Sequence, residues 1–282
     1  MLLLLFSCNK DDNPIAEKGN DLFIYPLKVG NSWGYNRHFA TFNYRPLDSL
    51  DYPRYDDSVH YYSKIAVEVV RKETILNSVE TFVIRSIETS LSTQSFWSEH
   101  YYKNQSDGLY LYAYNMYGSG GNGLPKLAGI NKVVLNGKEF NSVSEVFQSL
   151  DIILPKTYSV YSDSINYEDP PKKIINYPLE TNVIWIFRPP NQPFAISKRL
   201  LGEEPIDYDS QKIQCYKVEW LYDIDGNNEW DENISVIDFI SDKGLMKRKL
   251  FVKDLVITTS ESPDGNGYFD SAEEITLTNT NL

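Results

Sequence analysis

The chain has 282 residues, with 27 Lys and Arg against 39 Asp and Glu for a formal net charge of −12. That acidity excludes a nucleic-acid footprint, which needs a basic surface. Aromatics reach 14%, with 21 tyrosines, a bias suited to pleated, half-buried strands, and no stretch nears the ~20 apolar residues of a spanning helix.

The chain opens on Met1-Leu2-Leu3-Leu4-Leu5-Phe6-Ser7, then Cys8 and the polar run Asn9-Lys10-Asp11-Asp12. The apolar run ending at Cys8 resembles a bacterial lipoprotein signal. The resemblance implies that residues 1–7 are the end of a signal peptide, cut short and with no basic residue before it. It further implies that Cys8 is acylated and gives the protein its membrane partner. Cys8-x-Lys10-Asp11-Asp12 resembles the surface-export signal of Bacteroidetes lipoproteins, which implies an outer-membrane anchor facing the cell exterior. Residues 8–20, polar with Pro14 and Gly19, then form a flexible tether.

The body alternates. Ile65, Val67 and Val69 share a face within Ser63–Arg71, Phe82 and Ile84 within Val79–Glu88, and Tyr216, Val218, Trp220 and Tyr222 further on. Polar turns at Asn77-Ser78, Ser106-Asp107-Gly108 and Asp225-Gly226 separate such runs, the pattern of antiparallel strands joined by hairpins. One helix is predicted: Ser142-x-x-Glu145 forms a capping box ahead of Val143, Val146, Phe147 and Leu150. The Pro170-Pro171 stretch within Ser162–Lys173 reads as a connector. Lys243, Lys247, Arg248 and Lys249 read as a solvated strand edge.

A weak repeat runs through the chain. Tyr25-Pro26-Leu27 leads to Trp33 as Tyr177-Pro178-Leu179 leads to Trp185, and Ser106-Asp107-Gly108-Leu109 echoes Ser241-Asp242-Lys243-Gly244-Leu245. The expected fold is mainly β, a curved antiparallel sheet or sheets with one short helix. Residues 21–165 form a first β unit and 166–282 a second, separate or continuous with it. The phrase Tyr25 to Tyr35 and the run Ile240 to Arg248 resemble segments of Bacteroidetes surface lipoproteins. That resemblance implies a curved sheet of the lipoprotein-carrier kind, half wrapped around a helix, with no catalytic residues to transfer.

Two acidic loops offer oxygen sets for a structural Ca²⁺. In Ser262–Glu273, Asp264, Asn266, Asp270 and Glu273 take ligand positions with the Tyr268 carbonyl, although Ser262 stands where aspartate is usual. In the earlier loop Asp223, Asp225, Asn227 and Asp231 alternate, but Ile234 replaces the closing glutamate. Both also suit plain hairpin tips. Tyr110, Tyr112 and Tyr114 fall on one face of an ideal strand, where they would stack on sugar rings if exposed or line the sheet interior if packed. His38, His60 and His100 show no metal spacing, and Cys215 reads as a packed thiol. The function implied is a non-catalytic envelope lipoprotein that binds an envelope protein complex or an extracellular ligand. The alternatives are a carrier of lipid or another apolar ligand, which needs an unfilled concave face, and an extracellular hydrolase.

Overall fold

The computed structural model describes residues 23–46, 58–90, 95–117, 132–150, 165–190, 192–258 and 267–282. Alternation becomes strand over most of this length: β1 Ser32–Pro46, β2 Val59–Ile75, β3 Val79–Ser90, β4 Ser95–Gln105 and β5 Gly108–Tyr117. The short β6 Lys132–Leu135 and β7 Lys138–Phe140 precede helix α1, Val143–Leu150. Then come β8 Asn166–Asn176, β9 Ile184–Arg188, β10 Ala195–Tyr208, β11 Gln211–Asp223, β12 Ile234–Ser241, β13 Gly244–Thr258 and β14 Gly267–Asn281.

All fourteen strands belong to one sheet, a nearly closed antiparallel barrel. Its path runs β8-β5-β4-β3-β2-β1-β14-β13-β12-β11-β10-β9, so β1–β5 and β9–β14 are two meanders. The β1–β14 pair joins them on one side and β5 takes β8 on the other. The described strands of both expected units lie in this one sheet, with β8 on β5 and β6 on β13. The path ends at β8 and β9, and the Lys198 ammonium on β10 reaches across this seam to the Ile174 carbonyl at 3.0 Å.

Two expectations are corrected here. Residues 166–176 form an edge strand, not a connector, and the ladder to β5 skips from Tyr167 to Lys172 around the two prolines. An edge position with a register shift tolerates proline, because no amide hydrogen is missed there. Arg248 is not a solvated edge residue; it is fully buried.

The barrel's two ends are closed differently. At one end α1 inserts Val146, Phe147 and Leu150, with Phe147 edge-on to Phe39 at 5.0 Å between centroids. Its first turn is capped as expected, the Glu145 amide donating to Ser142 Oγ at 3.1 Å. The Glu145 carboxylate reaches back to the Asn141 amide at 2.6 Å. At the last turn, Tyr222 and Arg188 donate to the Leu150 and Ser149 carbonyls at 2.8 and 3.2 Å. These bonds satisfy carbonyls a helix end otherwise leaves orphaned. At the opposite end lie the β4–β5, β8–β9 and β12–β13 turns, and across them runs the segment before β1.

A candidate ligand cavity beneath the amino-terminal strap

Residues 23–31 form a strap over that second end. The Tyr25 amide donates to Tyr177 Oη at 2.9 Å, and Asn104 Nδ2 donates to the Tyr25 carbonyl at 2.9 Å. Tyr177 Oη in turn donates to Asn104 Oδ1 at 2.8 Å. Phe23 packs on Tyr177 and Tyr216, with centroids 6.0 and 5.2 Å apart. Trp33 Nε1 donates to the Lys243 carbonyl at 2.6 Å, which locks the strap's exit onto the β12–β13 turn. Gly244 makes that approach possible: its φ is +93°, and a Cβ would lie 2.9 Å from Trp33 Nε1.

Beneath Tyr25 lies a cavity of about 90 Å³. Its wall is mostly apolar, with Ile65, Ile84, Leu109, Ile175, Val218 and Ile240 among the lining residues. Tyr25, Tyr35, Tyr102 and Ser86 add hydroxyls, and His100 adds an imidazole. Burial raises the Tyr25 phenol to about 12 and the Tyr35 phenol well above its ordinary value, so both stay protonated.

The floor is a buried ionic belt that separates the cavity from the helix end. Strand register builds it: Arg37 on β1 and Arg248 on β13 both flank Ile275 on β14, and Arg248 faces Asp238 on β12. Arg248 grips Asp238 with two bonds of 2.6 and 2.8 Å, and Trp220 Nε1 donates to the same carboxylate at 2.8 Å. Burial would push the Asp238 carboxyl up, but the Arg248 charge and these bonds outweigh it and hold it below its usual value. Arg37 binds Glu273 at 2.6 Å and Glu88 at 2.8 Å, and Ser63 donates to Glu88 at 2.6 Å. Lys198 lays its ammonium over Trp220, 3.6 Å from the ring centroid. Such contacts are strongest when desolvated.

None of the three tyrosines expected to share a face is among the described lining residues. A register shift between Leu111 and Ala113 breaks the ideal alternation. Tyr110 donates to Asp107 at 2.7 Å beneath the Lys173 ammonium, and Tyr112 accepts from Gln105 at 2.5 Å. Tyr114 sits opposite His100. One extra residue in a ladder flips every later side chain.

The described carboxylates of the later acidic loop do not converge. Asp270 and Glu273 lie three residues apart on β14 and so point to opposite faces. Asp270 accepts from Arg45 and Asn43 at 2.8 and 2.7 Å, whereas Glu273 belongs to the Arg37 cluster. Tyr268 is paired within the ladder, opposite Arg45 and Val256. Asp264 and Asn266 lie outside the described residues, as do Cys8, Lys10, Asp11 and Asp12. In the earlier loop Asp223 accepts from the Gly226 and Asn228 amides at 2.8 and 3.2 Å, and Asp225 from the Asn227 amide at 3.1 Å. Asn227 Oδ1 accepts from the Glu229 amide at 2.6 Å, and Asp231 from Ile224 at 2.8 Å and from Asn136. Burial first, then the charges of Asp225 and Asp223, raise the Asp231 carboxyl.

His38 and His60, far apart in sequence, meet on the outer face with Nε2···Nδ1 at 2.9 Å. Among the described residues no three His, Cys, Asp or Glu side chains form a metal-binding group. Cys215 is buried and its thiol is pushed up to about 11 by that burial, which makes it a packing residue.

No family model matches the chain, and no curated protein matches it. Two solved structures are similar at low TM-score. One is described as an exported protein with a YmcC-like fold from Bacteroides fragilis, 8% identical, covering 93% of this chain and 100% of that one, TM-score 0.30. The other is described as an outer membrane lipoprotein-sorting protein domain from Vibrio parahaemolyticus, 10% identical, covering 89% and 85%, TM-score 0.21.

Proposed function

We propose that this chain is a non-catalytic binding protein of the cell envelope that holds an apolar group in the strap end of its barrel. The observation that carries this reading is the cavity under Tyr25, an unfilled concave face of the kind a carrier needs. The charged groups around it are engaged in ion pairs and hydrogen bonds, an arrangement suited to binding and not to proton transfer. A cavity of about 90 Å³ is smaller than the ~150 Å³ that accepts a benzene ring. The closed form therefore takes only the end of a ligand, and a longer chain enters by displacing the strap. The strap precedes β1 directly, and its first described residue, Phe23, lies at the mouth on Tyr177 and Tyr216.

The test is fluorescence of N-phenyl-1-naphthylamine, a neutral dye that brightens in apolar surroundings. Wild type is expected to bind it, and Val67→Phe, at a residue of the cavity lining, is expected to fill the cavity and lose binding while keeping its melting temperature. A wild-type protein that leaves the dye dark overturns the reading. For the location, Cys8→Ala is expected to move the protein from membranes to the soluble fraction. Alanine at Lys10, Asp11 and Asp12 is expected to shield it from protease on intact cells. A Cys8→Ala protein that stays in the membrane, or equal protease exposure of both forms, counts against that address.

A further inference from the structure

We propose that the part of the ligand reaching the cavity floor carries no net charge: an uncharged amphiphile, such as an alcohol or ester with an apolar tail. This rests on the cavity being the binding site, as argued above. Among the described residues, the charged groups of the floor and their direct partners are three cations, Arg37, Lys198 and Arg248, and three carboxylates, Glu88, Asp238 and Glu273. The charges balance before any ligand arrives.

Each ion also has its partner in place. Asp238 is held by Arg248 and Trp220, Glu88 by Arg37 and Ser63, and Lys198 by the Ile174 carbonyl and two ring faces. A charged head entering here would shed its water and find no surplus counter-ion among these described groups. Burial of an uncompensated ion is among the costliest events in a protein interior. An uncharged head meets a better match, because Tyr25, Tyr35, Tyr102 and Ser86 offer hydroxyl groups on the same wall. A family of ion-paired side chains thus selects against ions.

The experiment displaces N-phenyl-1-naphthylamine from the whole protein at neutral pH with 1-octanol, octanoate and octylammonium, which share one tail. Octanol is expected to displace at about tenfold lower concentration than either ion. Because any apolar site disfavours ions somewhat, the deciding arm changes the wall's charge. Lys198→Met is expected to narrow the octylammonium deficit about tenfold and widen that of octanoate, and Asp238→Asn to do the reverse. Displacement by octanoate or octylammonium as effective as by octanol overturns the inference on wild type alone, even if a variant does not fold. Ratios that stay fixed in both folded variants overturn it too. A dye that never binds overturns the cavity reading itself, which separates the two failures.

Discussion

The two ends of this barrel are made from the same strands yet solve closure in opposite ways. The helix end is filled from within: α1 drives Phe147 and Leu150 into a core of Phe39, Phe187 and Tyr222. The strap end is covered from outside by an extended segment held through a few specific hydrogen bonds. Between them lies the ionic belt. A helix with three apolar side chains per turn and a half saturates the space beneath it, whereas a strap lays down one inward side chain at a time and leaves a void. The filled end suits stability and the covered end suits exchange. Local opening draws on segments whose side chains are only partly buried, as Phe23, Tyr25 and Leu27 of the strap are.

The largest test of this contrast is at the belt. Arg248→Ala leaves Asp238 buried without its main partner and is expected to cost about 3–5 kcal/mol in urea unfolding. Replacing both partners, Asp238→Leu with Arg248→Met, is expected to restore most of that loss. The same pair predicts a pH dependence. Asp238 sits below its ordinary value in the fold, so its contribution is complete above about pH 4, where the unfolded carboxylate is ionised. It is lost as pH falls through the lower folded value. Melting temperature should therefore drop on acidification below that point, and less so in the double replacement.

Phe147→Ala probes the filled end, where a buried aromatic truncated to alanine costs about 3–5 kcal/mol. Dye binding at the strap end is expected to be unchanged, and a loss of binding there would show that the ends are not independent. The Asp223 loop, one of the two expected to hold calcium, also lies at the helix end, where Asp231 accepts from Asn136. A hundredfold excess of calcium over Kd should stabilise by about 2.7 kcal/mol, and Asp223→Ala with Asp225→Ala should abolish the rise in melting temperature. No rise in wild type would leave the loop a turn closed by its own amides.

The smallest effect is expected at the strap. Asn104→Ala removes one donor and one acceptor, a loss of about 1–2 kcal/mol. Its expected signature is kinetic: faster dye uptake with unchanged unfolding at the helix end. Unaltered uptake would mean that ligand enters elsewhere, for instance at the β8–β9 seam.

Much of this was legible beforehand. Alternation located the strands, the capping box located α1 to the residue, and the scarce apolar helices pointed to a β body. The internal repeat acquires a physical meaning in three dimensions. Trp33 of the first phrase bonds the Lys243 carbonyl in the second half's turn, and the Tyr177 amide of the second phrase bonds the Asp107 carbonyl in the first half's turn. Each phrase closes on the other half. The belt was hidden by a habit of reading charge as surface. Its members stand at inward positions of apolar strands: Arg37 between Tyr35 and Phe39, Lys198 between Ile196 and Leu200, Asp238 between Val236 and Ile240, Arg248 between Met246 and Leu250. Parity alone marked them, but a lone charge at an inward position gives no hint of its partner.

Period-two patterning is a local property, set by neighbours two residues apart, and so the sequence by itself determined strand identity, inward faces, the helix cap and the acidic balance. Register is not local. Which charge faces which, where a bulge turns Tyr114 away from Tyr110, and how Asp270 and Glu273 part to opposite arginines depend on strands up to 236 residues distant. Only the closed sheet decided those, because pairing across the barrel is where a lone inward arginine meets the carboxylate that makes its burial affordable, and where a strap meets the turn that holds it over a void.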